Sequence, residues 1–319
     1  MTFSLRKLSP AERQIVFAYG AAVVLFAIGM VVSSTFAGAH STTALSTQAS
    51  FIGIAAIGQT FAMLSGGVDL SVPWVMTSAA IVVTQITGGS NEALIWAVPL
   101  TLMFGATVGA INGAGISILN VPPIVMTLAM NVALQGAALL ITKGSPGAKV
   151  PTALNEFCIA TVGPVRVVFI LWLVLAALVT FYLSRTVFGR RLYAIGSNEQ
   201  TARFSGIRTS RARVVAYMVS GTSAALAGML VAGYNQLVFI NLGDPYLFST
   251  IAAVAVGGIA MVGGSGSYIG TMAGALVLAI LSALLLVLNI SSAALAILFG
   301  LVILLTVAVG SKRVDPFNA

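Results

Sequence analysis

The chain has 319 residues, 59% of them hydrophobic and only 7% charged, with 15 Lys and Arg against 7 Asp and Glu. Soluble domains carry about 25% charged residues, so this composition excludes a water-soluble surface, and its apolarity excludes a solvated disordered chain. A single cysteine, Cys158, and a single histidine, His40, exclude an internal disulfide framework, a thiolate metal cluster and most histidine-based acid–base machinery.

A membrane helix needs about 20 apolar residues, and charge-free runs mark where such helices fit. Between Arg13 and Asp69 only His40 ionises near neutral pH. The Ser/Thr-rich stretch from Ser41 to Thr47 divides this run into predicted spans at 14–34 and 48–65. Ala37-Gly38-Ala39 has the form of a signal-peptide cleavage site, but the apolar stretch Ile15–Val32 exceeds the usual core of about 7–15 residues. The first span is therefore expected to be a retained anchor. A third span runs from Pro73 to about Thr87. The long run from Ala93 to Thr142 divides at Asn120-Val121-Pro122-Pro123, where proline removes a backbone donor and disfavours helix before it. A polar stretch from Lys143 to Arg166 precedes a span at 167–184, and an arginine-rich segment fills 185–213. Further spans are predicted at 214–234, 248–263, 268–288 and 292–310.

The expected fold is all-α, a single polytopic transmembrane domain over residues 1–319 with about ten spans. The third and eighth are short enough to be half-helices. An even count puts both termini on one side. With that side cytoplasmic, the inner segments hold Arg6, Lys7, Arg13, Arg185, Arg190, Arg191, Arg203, Arg208, Arg211, Arg213, Lys312 and Arg313, and the outer ones only Lys143, Lys149 and Arg166. Excess positive charge marks the cytoplasmic side, so both termini are expected inside. The net charge of +8 is accounted for as a topology signal, and no nucleic-acid partner is expected.

Gly105, Gly109 and Gly113, and likewise Gly266, Gly270 and Gly274, recur every four residues. That spacing clears one helix face for close approach of another helix. Gly66-Gly67-Val68-Asp69-Leu70-Ser71-Val72-Pro73 joins the second and third spans. Asp69 or Ser71 can cap the helix that Pro73 begins; alternatively, this is a broken helix contributing to a transport path or its gate. A related interruption, Gly257-Gly258-Ile259-Ala260, hints at a weak internal repeat. In 185–213, Asn198 is positioned to cap a short helix from Glu199 that Gly206 ends. A short helix of this kind suits docking into a partner's groove through its apolar and small positions, Ala202 among them, with Arg190, Arg203 and Arg208 at the rim; it also suits a membrane-lipid interface. Neutral amides within the spans, Gln59, Asn112, Asn131, Gln135, Asn235, Gln236 and Asn289, suit an uncharged polyhydroxyl solute or a neighbouring helix. Asp69 and Asp244 fall at predicted span ends. No phosphate-binding loop, metal-protease motif or cofactor motif is present. Gly263-Gly264-Ser265-Gly266 has the form of a rhomboid-protease serine motif but lacks a histidine base on the same side. No enzyme activity and no cofactor are expected.

Together, Gly-Gly-Val-Asp-Leu-Ser (66–71), Gly-Arg-Arg-Leu-Tyr-Ala-Ile-Gly-Ser-Asn with Ala-Arg-Phe-Ser-Gly-Ile (189–207), and the late Gly-Gly…Gly-Gly-Ser-Gly-Ser-Tyr-Ile-Gly-Thr run resemble the membrane permeases of bacterial ATP-binding-cassette sugar importers of the ribose/xylose/arabinose type. The resemblance covers about residues 48–310, departing at Pro73, where the family usually has glycine. It implies an inner-membrane permease paired with a second permease subunit, identical or paralogous, with a separate cytoplasmic ATPase and a periplasmic solute-binding protein delivering a small neutral sugar or polyol. Gly189, Arg190, Asn198, Glu199, Ala202, Arg203 and Gly206 would form the ATPase-coupling segment. Asp69, Gly66, Gly67, Gln59, Asn131 and Asn235 are the candidate pathway or gate residues. The competing expectation is a stand-alone facilitator or secondary carrier, which needs no docking helix.

Overall fold

A computed structural model describes residues 10–311 apart from residue 148. Arg6, Lys7, Lys312 and Arg313 of the topology count lie outside the described residues. The chain folds into thirteen helices among the described residues: α1 (Pro10–Val32), α2 (Ala39–Leu64), α3 (Val72–Thr87), α4 (Leu94–Ser117), α5 (Pro123–Thr142), α6 (Thr152–Ile159), α7 (Val167–Arg185), α8 (Val187–Ser197), α9 (Glu199–Phe204), α10 (Thr209–Asn235), α11 (Tyr246–Val256), α12 (Tyr268–Val287) and α13 (Ser292–Ser311). A small antiparallel hairpin, β1 (Thr161–Val162) and β2 (Val165–Arg166), lies between α6 and α7.

Seven helices, α1, α2, α4, α5, α7, α10 and α12, are long and apolar enough to cross a membrane among the described residues. The polytopic all-α expectation holds, with a correction to the count of full spans. The third and eighth predicted spans are α3 and α11, apolar but only 16 and 11 residues long. At 1.5 Å per residue α11 covers about 17 Å, roughly half the hydrocarbon core. The polar stretch 143–166, read from sequence without structure, holds α6 and the hairpin. Asn155 Nδ2 donates to the Gly233 carbonyl at 2.8 Å, and Gln236 Nε2 donates to Asn155 Oδ1 at 2.7 Å, tying α6 to the end of α10. Cys158 sits beneath this tie, and burial pushes its thiol up to about 12, where it stays protonated.

α2 is the axle of the bundle. Its span is 94% buried, against 11% for α5. Gly53 makes this possible on one side, because a Cβ there would run into the Trp172 ring of α7. The buried polar edge that results is satisfied in sequence: Trp172 Nε1 donates to Tyr268 Oη at 2.9 Å, and Tyr268 Oη donates to the Gly53 carbonyl at 2.8 Å. Both glycine ladders are packing devices. Gly105, Gly109 and Gly113 of α4 press on the backbone of Gly221, Tyr217 and Val214 of α10, while Gly270 and Gly274 of α12 press on Gly257 and Ala253. Missing side chains there let helix backbones approach to contact distance.

Candidate functional site

α2 ends in a glycine turn. Gly66, at φ +82°, takes the left-handed position, and the Gly67 N–H reaches back to the Ala62 carbonyl at 3.0 Å, the pattern that closes a helix C-terminus. The chain then runs non-helically to Ser71 before α3 begins, with Pro73 in its first turn. Asp69 lies in this interruption and is fully buried. Its Oδ1 accepts from the Ser71 N–H at 2.9 Å and from Ser71 Oγ at 2.6 Å, and its Oδ2 accepts from Ser220 Oγ of α10 at 2.6 Å. Asn112 Nδ2 of α4 donates to Ser71 Oγ at 2.9 Å. From the α5 side, Thr127 Oγ1 accepts from the Leu70 N–H at 3.0 Å. Gly67 has no room for a Cβ because the Tyr217 hydroxyl and Pro123 occupy the space.

The depth of Asp69 differs from the expectation that it marks the end of a span. Arg213 of α10 reaches the Ser65 carbonyl at the end of α2, and Ser220, seven residues further along α10, meets Asp69. Seven helical residues are about 10 Å, so the carboxyl lies well inside the bundle. An acid at that depth is tolerated only when its oxygens are saturated by donors, and three donors are supplied.

The second interruption precedes α11. Gln236 and Asn241 adopt left-handed backbone at φ +55° and +71°, and the segment 236–245 carries the chain from the end of α10 to α3. There the Gly243 N–H donates to Thr77 Oγ1 at 3.0 Å, and a Cβ on Gly243 would strike the Pro73 carbonyl. The starts of the two short helices therefore touch each other. The expected matching break at Gly257-Gly258 is real but lies at the other end of α11, where Gly258 takes φ +87°.

Two buried amides share the depth of the Asp69–Ser220 bond. Gln59 follows Gly58, which packs on Ser220, and neither end of its side-chain amide has a partner. Asn112 Oδ1 and the Tyr217 hydroxyl are also buried without partners, as is Asn131 Oδ1 on half-buried Asn131 of α5. Asn235, Gln236 and Asn289 correct the reading of buried amides: all three are exposed at helix ends. Asp244 is also exposed, outside the Asp69 cluster. Ser220 and Tyr217 were missed from sequence. Their spacing from Arg213, at i+4 and i+7, places all three on one face of α10, but nothing local distinguishes them from ordinary helix residues.

The segment between α7 and α10 folds into α8 and α9. Asn198 caps α9 by accepting the Thr201 N–H at 2.9 Å, as the sequence predicts, and Thr186, which the sequence reading does not single out, caps α8 by accepting the Gly189 N–H at 3.2 Å. Gly206, at φ +78°, closes α9. Gly189 lets α8 lie on the Leu183 carbonyl, and Gly196 lets it abut Leu64 and Gly264. Tyr193 Oη donates to the Gly266 carbonyl at 2.9 Å, and the Gly264 N–H donates to the Leu64 carbonyl at 3.2 Å. The three sequence motifs thus meet at the C-terminal end of α2. Glu199 pairs with Arg203 at 2.7 Å and with Arg213 at 2.8 Å. Partial burial opposes ionisation of Glu199, but Arg213 first and Arg203 second more than offset it, and its carboxyl sits below the ordinary carboxylate value.

Ala202 corrects the expected docking contact. It packs inward against Ile195 and Ala212 of this chain, so it does not present itself to a groove. The exposed apolar residue of α9 is its neighbour Phe204, at 83% exposure, and Arg190, Arg203 and Arg208 are also exposed.

Residues 41–307 match the protein family described as branched-chain amino acid transport system / permease component. The chain is 34% identical over 300 residues to the ribose import permease protein RbsC of Escherichia coli (strain K12), covering 92% of each. It is 32% identical over 269 residues to the ribose import permease protein RbsC of Bacillus subtilis (strain 168), covering 83% of each. It is 31% identical over 270 residues to the autoinducer 2 import system permease protein LsrC of Shigella flexneri, covering 85% of this chain and 79% of the relative. No solved structure matches.

Proposed function

The chain belongs to this permease-component family, and from that premise we propose that it carries a small neutral sugar or polyol inward, as one of two permease subunits whose termini both lie in the cytoplasm. It is the multi-pass inner-membrane permease of an ATP-driven importer. It is a transport component rather than an enzyme, and it works with a separate ATPase and a periplasmic binding protein.

The observation that carries the neutral-solute reading is the state of Asp69. Among the described residues it is the only acid buried at this depth, and both its oxygens are already taken by hydroxyl and N–H donors. The unpartnered groups nearby are neutral: the side-chain amide of Gln59, the amide oxygen of Asn112 and the hydroxyl of Tyr217. Neutral donors and acceptors match the hydroxyls of an uncharged solute, whereas an ion-coupled carrier needs a free ionisable group. Gly66 and Gly67 shape the interruption, and Asn131 of α5 belongs to the same path. Asn235, exposed at the end of α10, lies outside it.

Gly189, Arg190, Asn198, Glu199, Arg203 and Gly206 build the coupling segment, with Phe204 as the apolar anchor for the ATPase and Ala202 as the packing residue beneath it. Displacement of α9 would reach Arg213 through Glu199, and α10 would carry it to Tyr217 against Gly67 and Ser220 on Asp69. A second permease subunit is expected against α5, whose open face carries the small residues Ala129, Ala133, Gly136 and Ala137. Small residues favour close helix contact over lipid.

The test is reconstitution of the permease with its ATPase and binding protein in vesicles. Neutral pentoses, hexoses or polyols should stimulate ATP hydrolysis, and charged sugar acids and amino acids should not. Uptake by the permease alone, without ATPase, would establish the facilitator instead. Reporter fusions at Arg13 and Lys312 should read as cytoplasmic and one at Ala148 as periplasmic; Lys312 and Ala148 lie outside the described residues.

A further inference from the structure

Beside α8, and apart from the interrupted helices, the inner end of the bundle holds a hollow of about 440 Å³ whose lining includes Arg191, Arg208, Arg211, Phe188 and Val215. The three guanidinium groups are exposed and gather like charge around one hollow. Glu199 is the only acid between Thr186 and Val214, and it is bonded to Arg203 and Arg213. No ion pair among the described residues neutralises the three that line the hollow.

The apolar side of the hollow points to a source of counter-charge. Arg211 and Val215 lie one turn apart on α10, so they stack along the helix axis. Val215 is exposed, and so are Phe181 and Tyr182 in the last turn of α7. Tyr182 packs on the Phe188 ring with centroids 5.6 Å apart. α7 and α10 are both long and apolar enough to cross the membrane, and apolar side chains exposed on such helices meet acyl chains. A cluster of arginines thus adjoins a wall suited to a hydrocarbon tail. Guanidinium groups bind phosphate oxygens through paired N–H donors, and basic hollows between membrane helices on the cytoplasmic side take anionic headgroups.

We propose that this hollow binds an anionic phospholipid of the inner leaflet, its phosphate held by Arg191, Arg208 and Arg211 and one acyl chain lying along Phe188 and Val215. Because Phe188 opens the second residue of α8, an occupied site would brace the root of the coupling segment. The inference rests on the inner-side placement of this loop and is independent of which solute is carried.

The test measures lipid retained by the full-length permease during native mass spectrometry from detergent, after exposure to phosphatidylglycerol or to phosphatidylcholine with identical acyl chains. The wild type should retain phosphatidylglycerol and not phosphatidylcholine. Each of R191Q, R208Q and R211Q should weaken retention about fivefold, the worth of one basic residue near a charged lipid surface, and the triple variant should lose it. R190Q, outside the hollow, should leave it unchanged. Equal retention of the two lipids, or full retention by the triple variant, overturns the proposal. So does displacement of phosphatidylglycerol by equimolar inorganic phosphate, which would make this a free-anion site. If the arginine variants keep their lipid but lose co-purifying ATPase, the arginines line the protein contact and the proposal fails. Should the triple variant not fold, the single variants and the lipid comparison decide.

Discussion

The two interruptions in the bundle are built on one local pattern and held by different forces. Val68-Asp69-Leu70-Ser71-Val72-Pro73-Trp74 leads into α3, and Ile240-Asn241-Leu242-Gly243-Asp244-Pro245-Tyr246 leads into α11. Each has an Asp or Asn four residues before a proline, a leucine next, a small residue after it, and an aromatic following the proline. In the first, the carboxylate is buried and bonded to Ser71 and Ser220. In the second, Asn241 bends the backbone to φ +71°, the acid has moved to exposed Asp244, and the join is made by Gly243, packed on the Pro73 carbonyl with a single N–H bond to Thr77 Oγ1. One break is a polar lock reporting to α10, and the other is a steric fit reporting to α3. A polar lock can exchange its donors as helices rock, whereas backbone contact tolerates little change, so the first break is the better candidate for the moving gate.

The largest effect should come from emptying the polar lock. Asp69→Leu strands two hydroxyls and one N–H in a buried site, a loss of about 3 kcal/mol or more. Folded yield in detergent and uptake should both collapse. Asp69→Asn keeps an acceptor and most of the volume, costs about 1 kcal/mol, and should retain measurable uptake. If both variants assemble and both abolish transport equally, the charge itself is required and the saturated-acceptor account is wrong.

Next in size is the steric join. Gly243→Val drives side-chain carbon into the Pro73 carbonyl, with overpacking of about 1–3 kcal/mol, and Gly243→Ala should fall between it and wild type. Thermal unfolding in detergent should order the three by added volume. A Gly243→Val protein as stable as wild type would mean that the two helix starts do not meet.

How far the sequence could foretell this contrast follows from where each signal lives. The glycine ladders and the α9 cap are local, and glycine spacing, Asn198 and Gly206 announce them; how many apolar runs become full-length spans is less local, since α3 and α11 are short. The α2–α3 break was legible for the same reason, since glycine pairs and a proline flank an acid. Its depth was not, because that is set by Ser220, 151 residues away. The break before α11 carries no such local mark, because Gln236–Pro245 contains a single glycine, Gly243, whose seat on Pro73 is a tertiary contact. Ala202 was read as outward because its burial comes from Ile195 and Ala212, and the register between α8, α9 and α10 is a tertiary property.

A smaller effect should follow from trimming the lock without removing it. Ser220→Ala deletes one donor to Asp69 Oδ2, a hydrogen bond worth about 0.5–1.5 kcal/mol. Its interaction with Asp69→Asn, taken as a double-mutant cycle on thermal stability, should be clearly non-additive, while Ser220→Ala with Gly243→Ala should add. Additivity in both pairs would dissolve the distinction between the two breaks.

The smallest stability effect is expected at Glu199, at the inner end of the same helix face. Its ion pairs with Arg203 and Arg213 are partly exposed, with the Glu199 side chain at 32%, so Glu199→Gln should cost about 0.2–1 kcal/mol. The pH dependence has a definite sign. The folded carboxyl sits below its ordinary value of 4.5, so its contribution is fully present above that value and fades as pH falls through the depressed one. The gap in unfolding temperature between wild type and Glu199→Gln should therefore be constant at neutral pH and close in acid. Function should respond more than stability does. If Glu199 passes motion of α9 to Arg213 and so to the Asp69 break, the glutamine variant should hydrolyse ATP with less solute moved per turnover. A variant with unchanged solute per ATP would leave the polar lock driven from elsewhere, and would reduce Glu199 to a cap for its own short helix.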